Sequence, residues 1–354
     1  MPGTILEVRN LCTSFLHDRG GELRAVDNLS YTVREGECVA IIGESGSGKT
    51  VSALSILRLI PYPPGIIKSG EIIFRGRDLL KMTNAEMEDI RGKDISMIFQ
   101  EPTTSLNPVL TIGDQITENI LIHGAVKDSN LSADEKEKYR GMTLKQRALA
   151  RASELLALMD IPNPDMRLKD YPYQFSGGMQ QRAMIAMAMS CNPDILICDE
   201  PTTALDVTVQ AQVLEQLHQL SVKFNTALII ITHNLGIVAR YADTVKIMYG
   251  GKIVEDGTTD AVFEAPRHPY TIGLIRAVPR LDLPRGRGLY TIEGEPPDMS
   301  KLPPDCCAFH SRCKYATVEC REAQPPLEQV GEEHYCACFN KSAAEAEREE
   351  MFRP

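Results

Sequence analysis

Residues 43–50 read Gly-Glu-Ser-Gly-Ser-Gly-Lys-Thr, an unbroken phosphate-binding loop. Cys38-Val39-Ala40-Ile41-Ile42 precedes it as a buried-strand run, and Val51–Leu57 continues it as a helix. That strand–loop–helix setting is the one such a loop requires. Gly43, Gly46 and Gly48 let the backbone curl, so that successive N–H groups and the helix N-terminus face phosphate oxygens; Glu44, Ser45 and Ser47 fill the positions between. Lys49 supplies a mobile positive charge for the β- and γ-phosphates, and the Thr50 hydroxyl is a candidate Mg²⁺ ligand. Eight matched positions in this context outweigh the alternative, a Gly/Ser-rich turn with a chance Lys-Thr. The chain is expected to bind a nucleotide.

With 354 residues it is long enough for one large domain and an appendage. A net charge of −10 argues against a dedicated nucleic-acid binder, and no apolar run approaches the roughly 18 residues that would span a bilayer. Met1-Pro2-Gly3-Thr4-Ile5 lacks the basic-then-apolar layout of a signal peptide. The expectation is a reducing, cytosolic setting, with the ten cysteines as thiols or metal ligands.

Along the chain, short apolar runs between residues 5 and 42 predict a β-rich lead-in. Gly70–Gly76 and Ile95–Gln100 predict further strands. From about 102 to 191 the pattern is helical, with Ala148, Ala152, Leu155, Leu156 and Met159 on one face. Residues 124–146 interrupt it as a polar, solvated excursion. Asp194–Asp199 and Ala227–Thr232 are continuous apolar runs that suit strands covered on both faces of a parallel sheet. Thr244–Tyr249 and Lys252–Glu255, joined by Gly250-Gly251, predict a hairpin. The expected division is a nucleotide-binding domain over 1–265, a His-Pro-Tyr element and Pro/Gly-rich linker over 266–304, a Cys-rich segment over 305–340, and a charged tail over 341–354.

Two carboxylates end the run Ile195-Leu196-Ile197-Cys198-Asp199-Glu200. Behind a phosphate loop, Asp199 is placed to hold Mg²⁺ and Glu200 to polarise an attacking water. Ser176-Gly177-Gly178 opens a second helix with bare N–H groups, which suits another phosphate. One loop already cradles one nucleotide, so this second anion site implies a second nucleotide or a second subunit. The methionines that follow, Met184, Met187 and Met189, read as core packing.

In this order the motifs resemble the nucleotide-binding subunit of an ATP-binding-cassette transporter, over residues 5 to about 265. Gly43–Thr50 resembles the family's Walker A loop, Gln100 its Q-loop, Ser176–Gln180 its signature and Asp199-Glu200 its Walker B end. Ala204-Leu205-Asp206 is similar to the D-loop and His233 to the switch histidine. The resemblance implies an α/β P-loop ATPase core with a mixed sheet, a β-rich lead-in and a helical subdomain, followed by a Cys-rich extension. It implies ATP and Mg²⁺ as ligands, with Thr50, Gln100 and Asp199 at the metal and Glu200, His233 and Gln100 catalytic. It also implies a second cassette, copy or paralogue, whose signature (Ser176, Gly177, Gly178, Gln180) and Asp206 complete the nucleotide site. Phe15 falls where the family stacks an aromatic on adenine; a core Phe after the first strand is the alternative. Phe175 and Asn234 depart from the usual Leu and Asp.

Gln100–Pro108, Glu200–Thr208 and Arg267-His268-Pro269-Tyr270-Thr271 narrow the resemblance to the peptide and nickel importers, nearest the dipeptide/oligopeptide ATP-binding subunits. Implied partners are two membrane permeases, with a solute-binding protein acting indirectly, and the implied location is peripheral on the cytoplasmic face. Nickel or another small solute is the alternative cargo, and a non-transport cassette ATPase acting on DNA or ribosomes is the less favoured alternative class.

Six cysteines fall within 306–338, which in a reducing compartment argues for metal. There is no C-x₂-C pair, so an iron–sulfur cluster suits a loop-rich tail better than a zinc ribbon; zinc and free thiols remain alternatives. The importer extension has a similar Cys pattern onto which Cys307, Cys313, Cys320 and Cys338 fall, implying a [4Fe–4S] cluster with Cys306 and Cys336 left over. His310 and His334 read as surface or supporting residues.

Overall fold

A computed structural model describes residues 3–17, 21–100, 105–202, 206–279, 290–300, 302–303, 305–342 and 348. In chain order the strands are β1 (Thr4–His17), β2 (Gly21–Arg34), β3 (Cys38–Ile42), β4 (Gly65–Phe74), β5 (Arg77–Asp78), β6 (Ile95–Ile98), β7 (Ile195–Asp199), β8 (Ala227–Thr232), β9 (Thr244–Tyr249), β10 (Lys252–Thr258), β11 (Glu328–Gly331) and β12 (His334–Cys336). The chain divides into two compact units, one centred on Lys81–Ile230 with Arg34–Glu37, the other on Thr4–Val33, Cys38–Leu80 and the chain from Ile231.

In the first unit β6 and β7 pair in parallel. Every residue of β7 is buried, as its unbroken apolar run requires of a strand covered on both faces. The helical portion lies here. Helix Leu144–Leu158 buries Ala148, Ala152, Leu155 and Leu156, the face read from the sequence. Its start is fixed by a capping box in which Thr143 and Gln146 satisfy each other's exposed N–H groups. Residues 124–146 are largely exposed, as a solvated excursion should be, but they also hold a short helix, Ala133–Lys138, and bury Val126, Leu131 and Tyr139. Tyr139 is 1% exposed, so a single aromatic anchors a stretch whose average polarity hides it.

In the second unit β2-β1-β4-β5 form one sheet, and β11-β12-β10-β9-β3 are successive neighbours in another. The lead-in is two 14-residue strands rather than several short ones. Apolar residues alternate with polar ones along β2, and β1 carries a register irregularity between Arg9 and Cys12, so neither shows as one apolar run. β9 pairs in parallel with β3 and antiparallel with β10, giving the expected mixed sheet. The predicted hairpin turns at Gly250 (φ 56°) and Gly251 (φ 77°), a pair of left-handed positions suited to glycine.

The Cys-bearing tail is less loop-rich than its composition predicts. β12 pairs antiparallel with β10, and β11 with β12, so the tail extends the sheet. Cys307, Ala308, Phe309 and Cys320 pack into one core with Tyr249 and Tyr270. Burying a side chain of the size of Phe309 stabilises by about 1.5–3 kcal/mol.

Candidate functional site

The phosphate loop leads from β3 into helix Lys49–Ile56. Gly43 and Gly48 are forced: an added Cβ would lie 2.3 Å from the Met248 carbonyl oxygen at the first and 2.2 Å from that of Ala25 at the second. Gly46 faces open space at φ 78°. Lys49 Nζ donates to the carbonyls of Gly43 (2.7 Å) and Glu44 (2.9 Å), which fixes its charge over the loop. The Ser47 hydroxyl is buried with no hydrogen-bond partner among the described residues, as expected of a donor meant for a ligand. Ser45 and Thr50 are exposed.

Gln100, Asp199 and Glu200 lie in the first unit. Gln100 Nε2 donates to Glu200 Oε2 at 3.0 Å, so two residues a hundred positions apart meet. Asp199 ends β7 at 4% exposure. Glu200 follows it at φ 46°, a left-handed conformation that costs a non-glycine residue about 1–3 kcal/mol and concentrates at functional sites.

Ser176 caps helix Gly177–Ala188, its hydroxyl accepting from the Met179 N–H at 3.4 Å. Ser176 and Gly177 are exposed, and an added Cβ at Gly177 meets nothing within 4 Å. Gln180 turns inward instead: its Nε2 donates to the Pro172 carbonyl at 2.8 Å, so its amide braces the turn. Phe175, in place of the usual Leu, is buried beneath the turn.

His233 is exposed directly after β8. Asn234 caps the next helix by accepting from the Gly236 N–H at 3.0 Å, which an Asp would do equally, so this departure is without structural consequence. Asp206 caps helix Val207–Phe224 through the Val209 N–H at 3.1 Å. Residues 101–104, Ala204 and Leu205 lie outside the described residues. Phe15 sits on β1 opposite Gly65, half-buried rather than packed in the core.

In the tail, burial pushes the Cys307 thiol up to about 12, and the charges of Cys320, Cys338 and Cys313 push it the same way. Cys338 rises to about 11, again chiefly through burial, with Cys313 and Cys320 adding to it. Cys307 and Cys320 lie in one core cluster with Cys313 packed against it, and Cys338 acts on Cys336 as well as on Cys307, whereas none of the four figures among the influences on Cys306. Among the described residues, however, no group of three or more His, Cys, Asp or Glu is gathered to hold a metal ion. His334 is not a surface residue. At 3% exposure its Nε2 lies 2.7 Å from Oε1 of Glu255.

Sequence reasoning passed over Glu255, Tyr270 and Arg312. Glu255 is fully buried and accepts from the Arg267 and His268 N–H groups at 2.7 and 2.9 Å. It thereby anchors the His-Pro-Tyr element, and nothing in the run Lys252–Glu255 signals burial of its acid. Tyr270 and Arg312 both reach Glu44 of the phosphate loop.

A glycine-forced phosphate loop on a mixed sheet, with a Gln–Glu pair beyond a buried acidic strand end, defines a P-loop ATPase of the cassette type. The ABC transporter family model matches residues 26–203, and the chain belongs to that family. A second model, the C-terminal region of oligopeptide/dipeptide transporters, matches residues 254–320. The chain is 47% identical over 331 residues to the oligopeptide transport ATP-binding protein OppD of Bacillus subtilis (strain 168), covering 94% of this chain and 87% of that one. It is 46% identical over 335 residues to the dipeptide transport ATP-binding protein DppD of the same organism, covering 95% and 94%. A dimeric ATP-binding cassette in a post-hydrolysis state, bound to ADP and Pi, has the same fold, at TM-score 0.60 and 24% identity over 72% of this chain and 98% of that one.

Proposed function

We propose that this chain is the ATP-hydrolysing subunit that energises import of dipeptides or oligopeptides through a membrane ABC transporter. The carrying observation is the joint match of cassette and peptide-transporter C-terminal region on a chain whose phosphate loop and Gln100–Glu200 pair are both formed. Nickel as cargo has no comparable support.

The phosphate loop, with the Ser47 hydroxyl and Lys49, holds the polyphosphate. Thr50, Asp199 and Gln100 would hold Mg²⁺, which when bound would neutralise phosphate charge. Glu200 accepts the proton of a water attacking the γ-phosphorus as the bond to the β-bridging oxygen breaks, releasing ADP and phosphate. His233 contacts the γ-phosphate. The exposed Ser176–Gly178 turn serves a second cassette, so that ATP binding closes a pair and hydrolysis reopens it. Gln180 and Asp206 act by shaping their helix starts.

Among the described residues no helix is long and apolar enough to cross a membrane, which fits a peripheral subunit at the cytoplasmic face working through two permeases. A cavity of about 550 Å³ in the first unit, lined by Phe99, Gln115, Glu118, Ile122, Met184 and Met187, suits a permease segment. Phe99 and Ile122 are 43% and 70% exposed, large apolar surface for residues with no covering partner. In proteoliposomes holding the permeases and the binding protein, ATP should drive short-peptide uptake. Ile122→Glu should abolish permease capture and uptake; ATP hydrolysis without uptake in the native assembly would overturn the transport reading.

The four thiols Cys307, Cys313, Cys320 and Cys338 would hold a [4Fe–4S] cluster, with Cys306 and Cys336 outside it. The packing of Cys307, Cys313 and Cys320 about one core and their soft donor chemistry support this, although the four are not gathered to ligand distance. Protein purified without oxygen should be brown and contain iron and acid-labile sulfide. Colourless protein carrying one zinc per chain would replace the assignment.

A further inference from the structure

Glu44 is the one acid of the phosphate loop, and a carboxylate there opposes a polyphosphate. The C-terminal region grips it twice. Arg312 NH1 donates to Glu44 Oε2 at 2.7 Å, with the guanidinium side chain 5% exposed. The Tyr270 hydroxyl, on a fully buried ring, accepts the Glu44 backbone N–H at 2.9 Å. Arg312 is itself held rigid. Its NH1 reaches the Tyr249 hydroxyl at 3.2 Å, its Nε the Glu293 carbonyl at 3.0 Å and its NH2 the Ile292 carbonyl at 3.4 Å. It also lies over the rings of Tyr249 and Phe309 at 5.9 and 6.0 Å. Tyr270 packs edge-on against Tyr249 with centroids 4.6 Å apart, so both grips belong to one aromatic block.

We propose that Arg312 and Tyr270 are positioning residues of the nucleotide site: the C-terminal region cancels the charge of Glu44 and fixes the second residue of the phosphate loop. The region is then part of the ATP-binding apparatus and not only an appendage to the sheet. A part-buried charge-assisted pair of this geometry is more fixed and less screened than a fully exposed one. This rests on Gly43–Thr50 being the ATP site.

The test is the ATP dissociation constant of the full chain by titration calorimetry, with KM and kcat in parallel, for Arg312→Ala, Glu44→Gln, their combination, Arg312→Lys and Tyr270→Phe. Arg312→Ala should weaken ATP binding about tenfold and raise KM more than it lowers kcat. Against Glu44→Gln as the reference, adding Arg312→Ala should change affinity by less than about twofold. Arg312→Lys should restore most of the loss, and Tyr270→Phe should weaken binding by several-fold. Equal weakening by Arg312→Ala with and without Glu44→Gln would reduce Arg312 to a packing residue. Native affinity in both Arg312→Ala and Tyr270→Phe would remove the proposal outright. If Arg312→Ala does not fold, the Tyr270→Phe affinity decides, and a native value there overturns the proposal. Failure of the native chain to bind ATP is a different result and would sink the ATP reading instead.

Discussion

Glu200→Gln is expected to bind ATP with near-native affinity while losing about 10²–10⁴-fold in hydrolysis, the range typical of removing a positioned general base. That loss corresponds to about 3–5 kcal/mol of transition-state stabilisation. The amide has the volume of the carboxylate and keeps an oxygen that can accept from Gln100 Nε2, the contact made at 3.0 Å. What it cannot do is take a proton from water. Binding therefore survives, because the groups assigned to the polyphosphate are those of the loop, with Lys49 fixed by the Gly43 and Glu44 carbonyls. The strained backbone at Glu200 (φ 46°) sharpens the expectation. A conformation that costs energy in any non-glycine residue is retained where it aims a side chain. The measurement is phosphate release under saturating ATP alongside calorimetric ATP affinity. Native turnover in this variant removes Glu200 as the base.

The parts of this molecule that were legible in the sequence are those whose cause is local. The phosphate loop is legible because the phosphates it must hold set the spacing of its glycines, Lys49 and Thr50, although the atoms that crowd Gly43 and Gly48 belong to the distant Met248 and Ala25. β7 and β8 are legible because full burial demands an unbroken apolar run. The β9–β10 hairpin follows from two adjacent glycines at positive φ. What stayed hidden depends on partners far along the chain. Glu44 and Arg312 are 268 residues apart, and nothing near either residue announces the other. The tail reads as loop by composition, yet His334–Cys336 becomes a strand because β10 offers it an edge. The polar 124–146 stretch was legible in its exposure but not in its anchors, since average polarity hides the buried Val126, Leu131 and Tyr139. The cysteines sit between these cases: their density was visible, but whether four of them close around a cluster is a matter of distances that spacing does not fix.

Glu255→Ala should be the most damaging substitution outside the nucleotide motifs, destabilising the unit that contains it by about 3–5 kcal/mol. The carboxylate is fully buried and is a hub: two backbone N–H groups and the His334 ring converge on its oxygens. Truncation leaves three donors without a partner in a core too tight to admit water readily, and an unsatisfied buried group costs about 1–3 kcal/mol. Those donors belong to the start of the His-Pro-Tyr helix and to β12, so the damage should spread to both. The helix beginning at Pro269 carries Tyr270, and through it the backbone of Glu44, so partial unfolding here should also weaken ATP binding. Urea unfolding followed by near-ultraviolet circular dichroism, which reports the tyrosine block, checks the first effect; titration with ATP below the transition checks the second. A midpoint within error of the native protein would mean that the buried carboxylate is replaceable and that the C-terminal region is secured by its aromatic core alone.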